Sequence, residues 1–550
     1  MLVNLSSCLE HKKITYDQGY IVMEGVAYSG LNKIGPEEIF YKIKEVDFDE
    51  SKIKKFLKSL TGFYGIIIFI DHKLIVFSDI VRSFPFFYKI IENTIYLSNK
   101  ASDLLDGDNP VYDNHLSCDQ FLASGYVSGN ETLIDGIEQT EAGFFLIICE
   151  KNNKVNLVAV KYYRFWNFNN STGDCFYYNY DMLDKIVNNS IERLIDFAAG
   201  RKIIVPLSGG FDSRLIASKL KEYGYSNILC FTYGRKDNNP EKDLSEKIAY
   251  SLELDWLFIE YSDEIIKELW NDNYAIDFKL NYSNFCSLPH IQDWFAIHIM
   301  KKQNLIENDA VFVPGHSGDF VAGSHIPYFL FNNKSKNYQL KDVVNQILYK
   351  HYALCPLDEV AKDKIRTKVS GEILDEIDSS MSVDNLTNLD FSNLYECWDW
   401  KERQVKYIVN SIQVYKQFNY DFWLPLWDKE FVTFWQKIAL LDRKDRAYLK
   451  NYINEIYIKN IVKQNIDTVG LLGNSSEIGN AKRLIIQLVN FLPVSFKRFL
   501  SKIYSRKKTV VNKHYLAFDA LVDEEVLKAF DQKGYSLLGI YAFLYLKSKW

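Results

Sequence analysis

The chain has 550 residues, which exceeds one ordinary core, so two domains, or three, are expected. Hydrophobic residues at 47% and charged residues at 25% are the balance of a soluble globular protein with a sizeable buried core. The formal net charge of −6 supplies no global field for nucleic acid, which excludes that class of partner.

The first part of the chain reads as β-rich. Tyr64–Ile70 is a buried-strand run, and Lys73–Ser78 follows after an Asp71-His72 turn. Phe86–Ile91 and Thr94–Ser98 form a hairpin pattern around Glu92-Asn93; Phe144–Ile148 and Val155–Val160 form another. Strands joined by short turns predict a layered sheet domain. The pattern then changes. Asp181–Ala198 carries Leu183, Ile186, Val187, Ile191, Leu194 and Ile195 at helical spacing. Lys202–Leu207 is an apolar strand, Leu215–Tyr223 a helix, Ile228–Tyr233 a strand, Asp243–Leu252 a helix and Leu257–Tyr261 a strand. That alternation predicts a parallel sheet in a doubly wound α/β domain. From about residue 335 onward the chain reads as mostly helical, with a glycine- and serine-bearing loop over Thr468–Asn480.

Cys8, Cys118, Cys149, Cys175, Cys230, Cys286, Cys355 and Cys397 show no CxxC spacing, so zinc and dithiol chemistry and a disulfide scaffold are not expected. The start, MLVNLSSCLEHKK, has no apolar signal core, and no apolar run approaches a membrane span. A cytoplasmic protein is the expectation.

The segment Leu207-Ser-Gly-Gly-Phe-Asp-Ser213 falls where a parallel strand ends and a helix begins, the usual ligand crevice of such a sheet. Ser208, Gly209 and Gly210 let a phosphate approach the backbone, free N–H groups at the helix start bind it, and Ser208 and Ser213 add hydroxyls. Asp212 beside phosphates calls for a bridging Mg²⁺. A plain glycine-rich turn with a capping serine is the simpler alternative. A second glycine-rich turn, Val311 to Gly323, carries one acid, Asp319, and by itself reads as an ordinary turn.

Leu207–Ser213 resembles the SGGxDS signature of the PP-loop ATP pyrophosphatases, which cleave ATP between the α- and β-phosphates. Gly315, Asp319 and Gly323 match the SGEGxDExxGG motif of asparagine synthetases, and Trp423-Leu-Pro-Leu-Trp-Asp428 resembles that family's RxPFLD segment. The resemblance implies an ATP site of Leu207, Ser208, Gly209, Gly210, Asp212, Ser213, Thr232 and Gly315. It makes Asp212 and Asp319 the Mg²⁺ carboxylates, and catalytic residues together with His316. His316 stands where the family has a glutamate that handles the amine. An imidazole there can take a proton near its ordinary pKa of about 6.5, but it cannot supply negative charge. Trp423 replaces the family's arginine. The family's adenylate-steadying lysine has no secure counterpart; Lys450 is one candidate.

Gly62–Asp71, Arg82, Pro85, Tyr88, Tyr96–Ser98, Glu131–Leu133, Gly136-Ile137 and Ala142-Gly143 match segments of the family's glutamine amidotransferase domain in colinear order. Its nucleophile, a cysteine following the initiator methionine, is replaced by Leu2, and Cys8 is internal. The expected organisation is therefore a degenerate Ntn-type amidotransferase layer fold over residues 1–170, lacking its nucleophile. Residues 171–550 follow as a doubly wound PP-loop ligase domain with a helical C-terminal part. This is the logic of β-lactam synthetase or lasso-peptide cyclase, where another amine replaces ammonia. The implied activity is ATP- and Mg²⁺-dependent amide formation from a small or carrier-linked carboxylic acid (aspartate, a uronic acid sugar or a peptide carboxylate) and a nitrogen donor. A homodimer is compatible with it. The alternative is a nucleotide-binding scaffold without turnover. The basic residues within 497–513 read as a solvated helix face or, more sharply, as a membrane-surface contact.

Overall fold

The computed structural model describes residues 2–107, 109–151, 154–167, 178–331, 337–377, 381–462 and 515–548. The 170/171 boundary, Cys175, the Thr468–Asn480 loop and the 497–513 basic stretch lie outside these residues.

Two sheets build the first part. A seven-stranded sheet runs in the order Lys154–Lys161, Phe144–Lys151, Lys73–Ser78, Leu60–Ile70, Gly19–Ser29, Lys13–Tyr16, with Asn32–Ile34 paired to Gly19–Ser29. A four-stranded sheet runs Leu2–Leu5, Thr94–Ser98, Phe87–Ile91, Glu138–Gln139. Side-chain alternation settles their stacking, because successive residues of a strand face opposite sides. Val22, Ile67, Leu74, Val76, Leu146 and Ile148 of the larger sheet meet Phe86, Tyr88, Ile95 and Leu97 of the smaller in one closed cluster. Ile66, Ile68 and Ile75 point the other way, into the main core, together with Ile39, Ile43, Ile53 and Leu57 of the helices Pro36–Glu45 and Glu50–Ser59. The predicted strands are present. Leu2–Leu5, Lys13–Tyr16, Gly19–Ser29 and the two helices are additional.

The second part is centred on a five-stranded, wholly parallel sheet in the order Asp255–Glu260, Ile228–Gly234, Ile203–Pro206, Val311–Phe312, Asp421–Phe422. The first strand in sequence, Ile203–Pro206, is central. The chain winds outward from it to one side and then returns to the other, so the order reverses between Ile203–Pro206 and Val311–Phe312. The crevice beyond the carboxyl ends of those two strands is the place where such sheets bind ligands.

The two parts share one hydrophobic core. Trp423, fully buried, meets Phe63 edge-on at 4.8 Å and stacks on Phe197 at 4.8 Å. Arg193 forks onto Asp428 through Nε (2.8 Å) and Nη2 (2.9 Å), and its Nη1 donates to the Gly30 carbonyl at 2.8 Å. Among the described residues no helix is long and apolar enough to cross a membrane, and the seven cysteines are free.

Candidate functional site

Both glycine-rich turns emerge at the point where the strand order reverses. Ser208, Gly210, Phe211, Asp212 and Ser213 from the first, and Pro314, Gly315, His316 and Asp319 from the second, line one cavity of about 370 Å³. The helix Phe211–Glu222 starts at Gly210 without a side-chain cap, so its first N–H groups are left for another partner. Ser208 and Ser213 hold the loop closed upon itself. The Ser208 N–H donates to Ser213 Oγ (3.2 Å), and the Gly210 N–H donates to Ser208 Oγ (3.1 Å). The Gly209 N–H donates to the Glu241 carboxylate at 2.6 Å, so a protein anion already sits against this loop.

The second turn presses against the first. A Cβ at Gly315 would lie 2.6 Å from the Ser213 backbone nitrogen, and one at Gly318 would lie 2.9 Å from Asp212 Cγ. Only glycine allows this approach. The Asp319 N–H donates to Asp212 Oδ2 at 2.9 Å, which brings the two aspartates together. Asp212 Oδ1 is buried and has no hydrogen-bond partner among the described residues. Burial first, and then the Asp319 charge, push the Asp212 carboxyl up to about 7. Asp319 Oδ2 accepts from Ser324 Oγ at 2.9 Å and lies 4.0 Å from Arg446 Nη1. An orphaned carboxylate oxygen beside a second carboxylate fits a hard divalent cation. No group of three potential metal ligands occurs among the described residues, so such a cation would complete its shell with phosphate oxygens and water, the habit of Mg²⁺.

No family model and no curated protein matches this chain. Parts of it are similar to a number of solved structures, among them the following two. One is the NH3-dependent NAD synthetase from Campylobacter jejuni subsp. jejuni NCTC 11168 in complex with the nitrate ion. The identity is 14%, over 37% of this chain and 90% of that one, with a TM-score of 0.20. The other is the glutamine phosphoribosylpyrophosphate amidotransferase from B. subtilis complexed with ADP and GMP. There the identity is 13%, over 47% of this chain and 74% of that one, with a TM-score of 0.19. Likenesses this slight carry no functional assignment, which has to come from the cavity itself.

Two expected ATP contacts are placed behind the cavity and do not line it. Leu207 is fully buried, its N–H bonded to the Phe231 carbonyl at 2.9 Å. The Thr232 hydroxyl is bonded to the Leu207 carbonyl and to Ser245 Oγ, and it is Tyr233 that faces the cavity. His316 lines the cavity, with Nε2 3.5 Å from Ser411 Oγ and a buried Nδ1 that has no hydrogen-bond partner among the described residues. Burial, and then the neighbouring His290, bring its pKa down to about 3. The expected titration of His316 near its ordinary value is therefore corrected: the imidazole is neutral throughout the physiological range and is a weak base.

Pro425–Asp428 serves as a buttress. Asp428 holds Arg193 and accepts from the Glu430 N–H (3.0 Å) at the start of the helix Lys429–Trp435, while Ser190 Oγ donates to the Pro425 carbonyl at 2.8 Å. Leu426 packs on Gly318, where a Cβ would lie 2.5 Å from its Cδ1. The third motif thus supports the second from behind. Trp423, in the position of the family's arginine, is core.

The sequence reading missed Arg446. Asp445 and Arg446 both take left-handed backbone angles (φ 56° and 58°) where the turn Leu440–Arg446 gives way to the helix Ala447–Val462, and Arg446 lines the cavity beside Asp319. Lys450, the earlier candidate, does not line it, and its Nζ is 5.9 Å from the Phe211 ring centroid. In the sequence Arg446 is one of several charges in the run Asp442–Arg446, with nothing local to single it out. In the first part of the chain, Leu2 is exposed on an edge strand and Cys8 is exposed, 3.7 Å from Asn99 Nδ2. Arg82 is buried, donating to Gln139 Oε1 at 2.9 Å.

Proposed function

We propose that the chain is an ATP-dependent carbon–nitrogen ligase of the asparagine synthetase kind. It would activate a carboxylic acid as an acyl-adenylate and pass it to ammonia or an amine, releasing AMP and pyrophosphate. The observation that carries this reading is the Asp212–Asp319 pair, with its orphaned oxygen, set against an uncapped helix start at the switch point of a parallel sheet.

The N–H groups at the start of Phe211–Glu222, with the Ser208 and Ser213 hydroxyls, would bind the phosphates, and Asp212 and Asp319 would hold Mg²⁺. The cation supplies charge neutralisation between carboxylates and triphosphate. Arg446 adds a positive charge at the Asp319 end, the role the resemblance gives to a lysine. A substrate carboxylate oxygen would attack the α-phosphorus, and pyrophosphate would leave. The nucleophile's nitrogen would then attack the acyl carbon, AMP would leave, and the nitrogen's proton would pass to a base or to water. His316, being neutral, would hydrogen-bond this nucleophile and not pair with it electrostatically.

The acid is an aspartate, a uronic acid sugar or a peptide carboxylate, and the nitrogen comes from ammonia or an amine. Labelled ATP with candidate acids and amines tests the reading. AMP and pyrophosphate in step with amide support it; ADP and phosphate as the only products overturn it.

A further inference from the structure

Tyr233, His290, Gln292 and Asp293 also line the cavity. Asp293 stands immediately before the helix Trp294–Lys302, where an aspartate ordinarily accepts from the first helical N–H groups. Here it makes no such cap. Its side chain is turned to Tyr415, whose hydroxyl donates to Oδ2 at 2.8 Å. Its Oδ1 is buried and has no hydrogen-bond partner among the described residues. The residue is only 5% exposed, and among the described residues it forms no ion pair. Burial pushes its carboxyl up to about 6, so it is still ionised at neutral pH. Its charge bears on the neutral rings of Tyr233, Tyr261 and Tyr415, whose pKa values burial, and then in part this carboxylate, push up. His290 and His316 are neutral too, brought down to about 4 and about 3 by burial first. Each has a buried Nδ1 without a hydrogen-bond partner among the described residues.

An ionised carboxylate held away from water without a cation is costly, and a ligand that brings the positive charge offsets that cost. Asp212 and Asp319 are the carboxylates assigned to Mg²⁺, which leaves Asp293 unanswered. A ligase cavity takes three substrates. ATP and a carboxylic acid are anions, which Asp293 repels; an amine is a cation at neutral pH, which it attracts. Each neutral imidazole offers one acceptor for an N–H group, and aromatic faces add a cation–π attraction. We propose that Asp293 binds the nitrogen donor as its ammonium ion, with His290 and His316 as further acceptors for the N–H groups. The ligand class is thus an amine that is protonated at neutral pH. This rests on the ligase reading above.

The test uses the full chain at neutral pH and paired probes of equal shape: butylammonium against butanol, and benzylammonium against benzyl alcohol. Binding is followed by calorimetry, in EDTA alone and with Mg²⁺ and a non-hydrolysable ATP analogue. The ammonium probes should bind and their alcohol partners should not. Asp293→Asn keeps the shape of the side chain and removes its charge. It should weaken the ammonium probes by about 10-fold or more, the scale of a lost charged hydrogen bond, and should not weaken the nucleotide analogue, as a merely damaged fold would. If Asp293→Asn does not fold, Asp293→Ala, which removes the buried charge altogether, gives the same reading. Asp212→Asn should leave the ammonium preference in place. Equal binding of both probe classes, no binding of either, or an ammonium preference that survives Asp293→Asn overturns the proposal. A preference abolished by Asp212→Asn also overturns it, because the ammonium ion would then sit on the pair assigned to Mg²⁺. Failure of the analogue to bind wild type overturns the ligase reading alone, because the ammonium preference is also read without nucleotide.

Discussion

Asp212 is the residue on which the site's electrostatics turn. A carboxyl whose folded pKa is raised to about 7 binds protons in the native state that the unfolded chain has released above about 4. Its contribution to stability therefore falls as pH rises through that window. In EDTA the melting temperature should drop from pH 5 to pH 8, Asp212→Asn should flatten part of that slope, and Mg²⁺ should stabilise wild type more at pH 8 than at pH 5. Asp79 and Asp293, both pushed up to about 6 by burial, add slopes of the same sign, so the difference between wild type and variant is the quantity to read. Asp212→Asn should also lower turnover by at least about 10²-fold, since the phosphates lose their bridging cation. The neighbouring His316 makes the opposite prediction. With its pKa near 3, it contributes no inflection to the pH profile of amide formation between pH 5 and pH 8. His316→Gln keeps a neutral hydrogen-bonding side chain and should retain amide yield within about 10-fold, below the loss expected for a general base. A fall of 10²-fold or more, with AMP release outrunning amide, would instead make His316 the base.

The two turns and the buttress behave as one clamp, and their contacts explain what could be read from the sequence. The parallel strands were legible because strands buried on both faces are continuous apolar runs, as in Ile203–Pro206 and Ile228–Gly234. Leu2–Leu5 and Lys13–Tyr16 were not, because both are edge strands without a fully buried residue. The glycine loops announced a ligand site, yet the spacing could not show that Pro425–Asp428 works as a prop or that Arg446 reaches Asp319. Those facts depend on contacts between segments far apart in the chain. The clamp itself is testable. Gly318→Ala places a methyl between Leu426 and Asp212, and displacing Asp212 should lower turnover by about 10²-fold while overpacking costs about 1–3 kcal/mol of unfolding free energy. Native circular dichroism with wild-type kinetics would show that the clamp tolerates slack. Glu241 holds the Gly209 N–H that phosphate would need, so Glu241→Gln should tighten Mg-ATP binding several-fold in equilibrium titrations, by removing a competing negative charge.

At the scale of the whole chain, the sequence divides where the structure packs. Pattern alone predicts a sheet-rich first part and an α/β second part, and the strand patterns change accordingly on either side of the proposed 170/171 boundary. The interior does not change with them. Trp423 of the second part sits among Phe63 and Tyr28 of the first, Trp400 Nε1 donates to the Ile80 carbonyl at 3.1 Å, and Arg193 ties Gly30 to Asp428. Each part buries one face against the other: the last strand of the parallel sheet, Asp421–Phe422, leads directly into Trp423, which has those rings as its wall. The prediction is a single cooperative unfolding transition, in which calorimetric and van't Hoff enthalpies agree and tryptophan fluorescence and far-UV circular dichroism share a midpoint. Trp423→Ala removes a fully buried indole at this junction and should cost about 3–5 kcal/mol. That loss should lower the midpoint of the whole transition and not split it, because the main core runs continuously from one part to the other through the junction. Two resolved transitions in wild type, or a Trp423→Ala variant that melts one part and leaves the other at its original midpoint, would mean that the two parts fold as separate units and that the first can be removed without loss of the second.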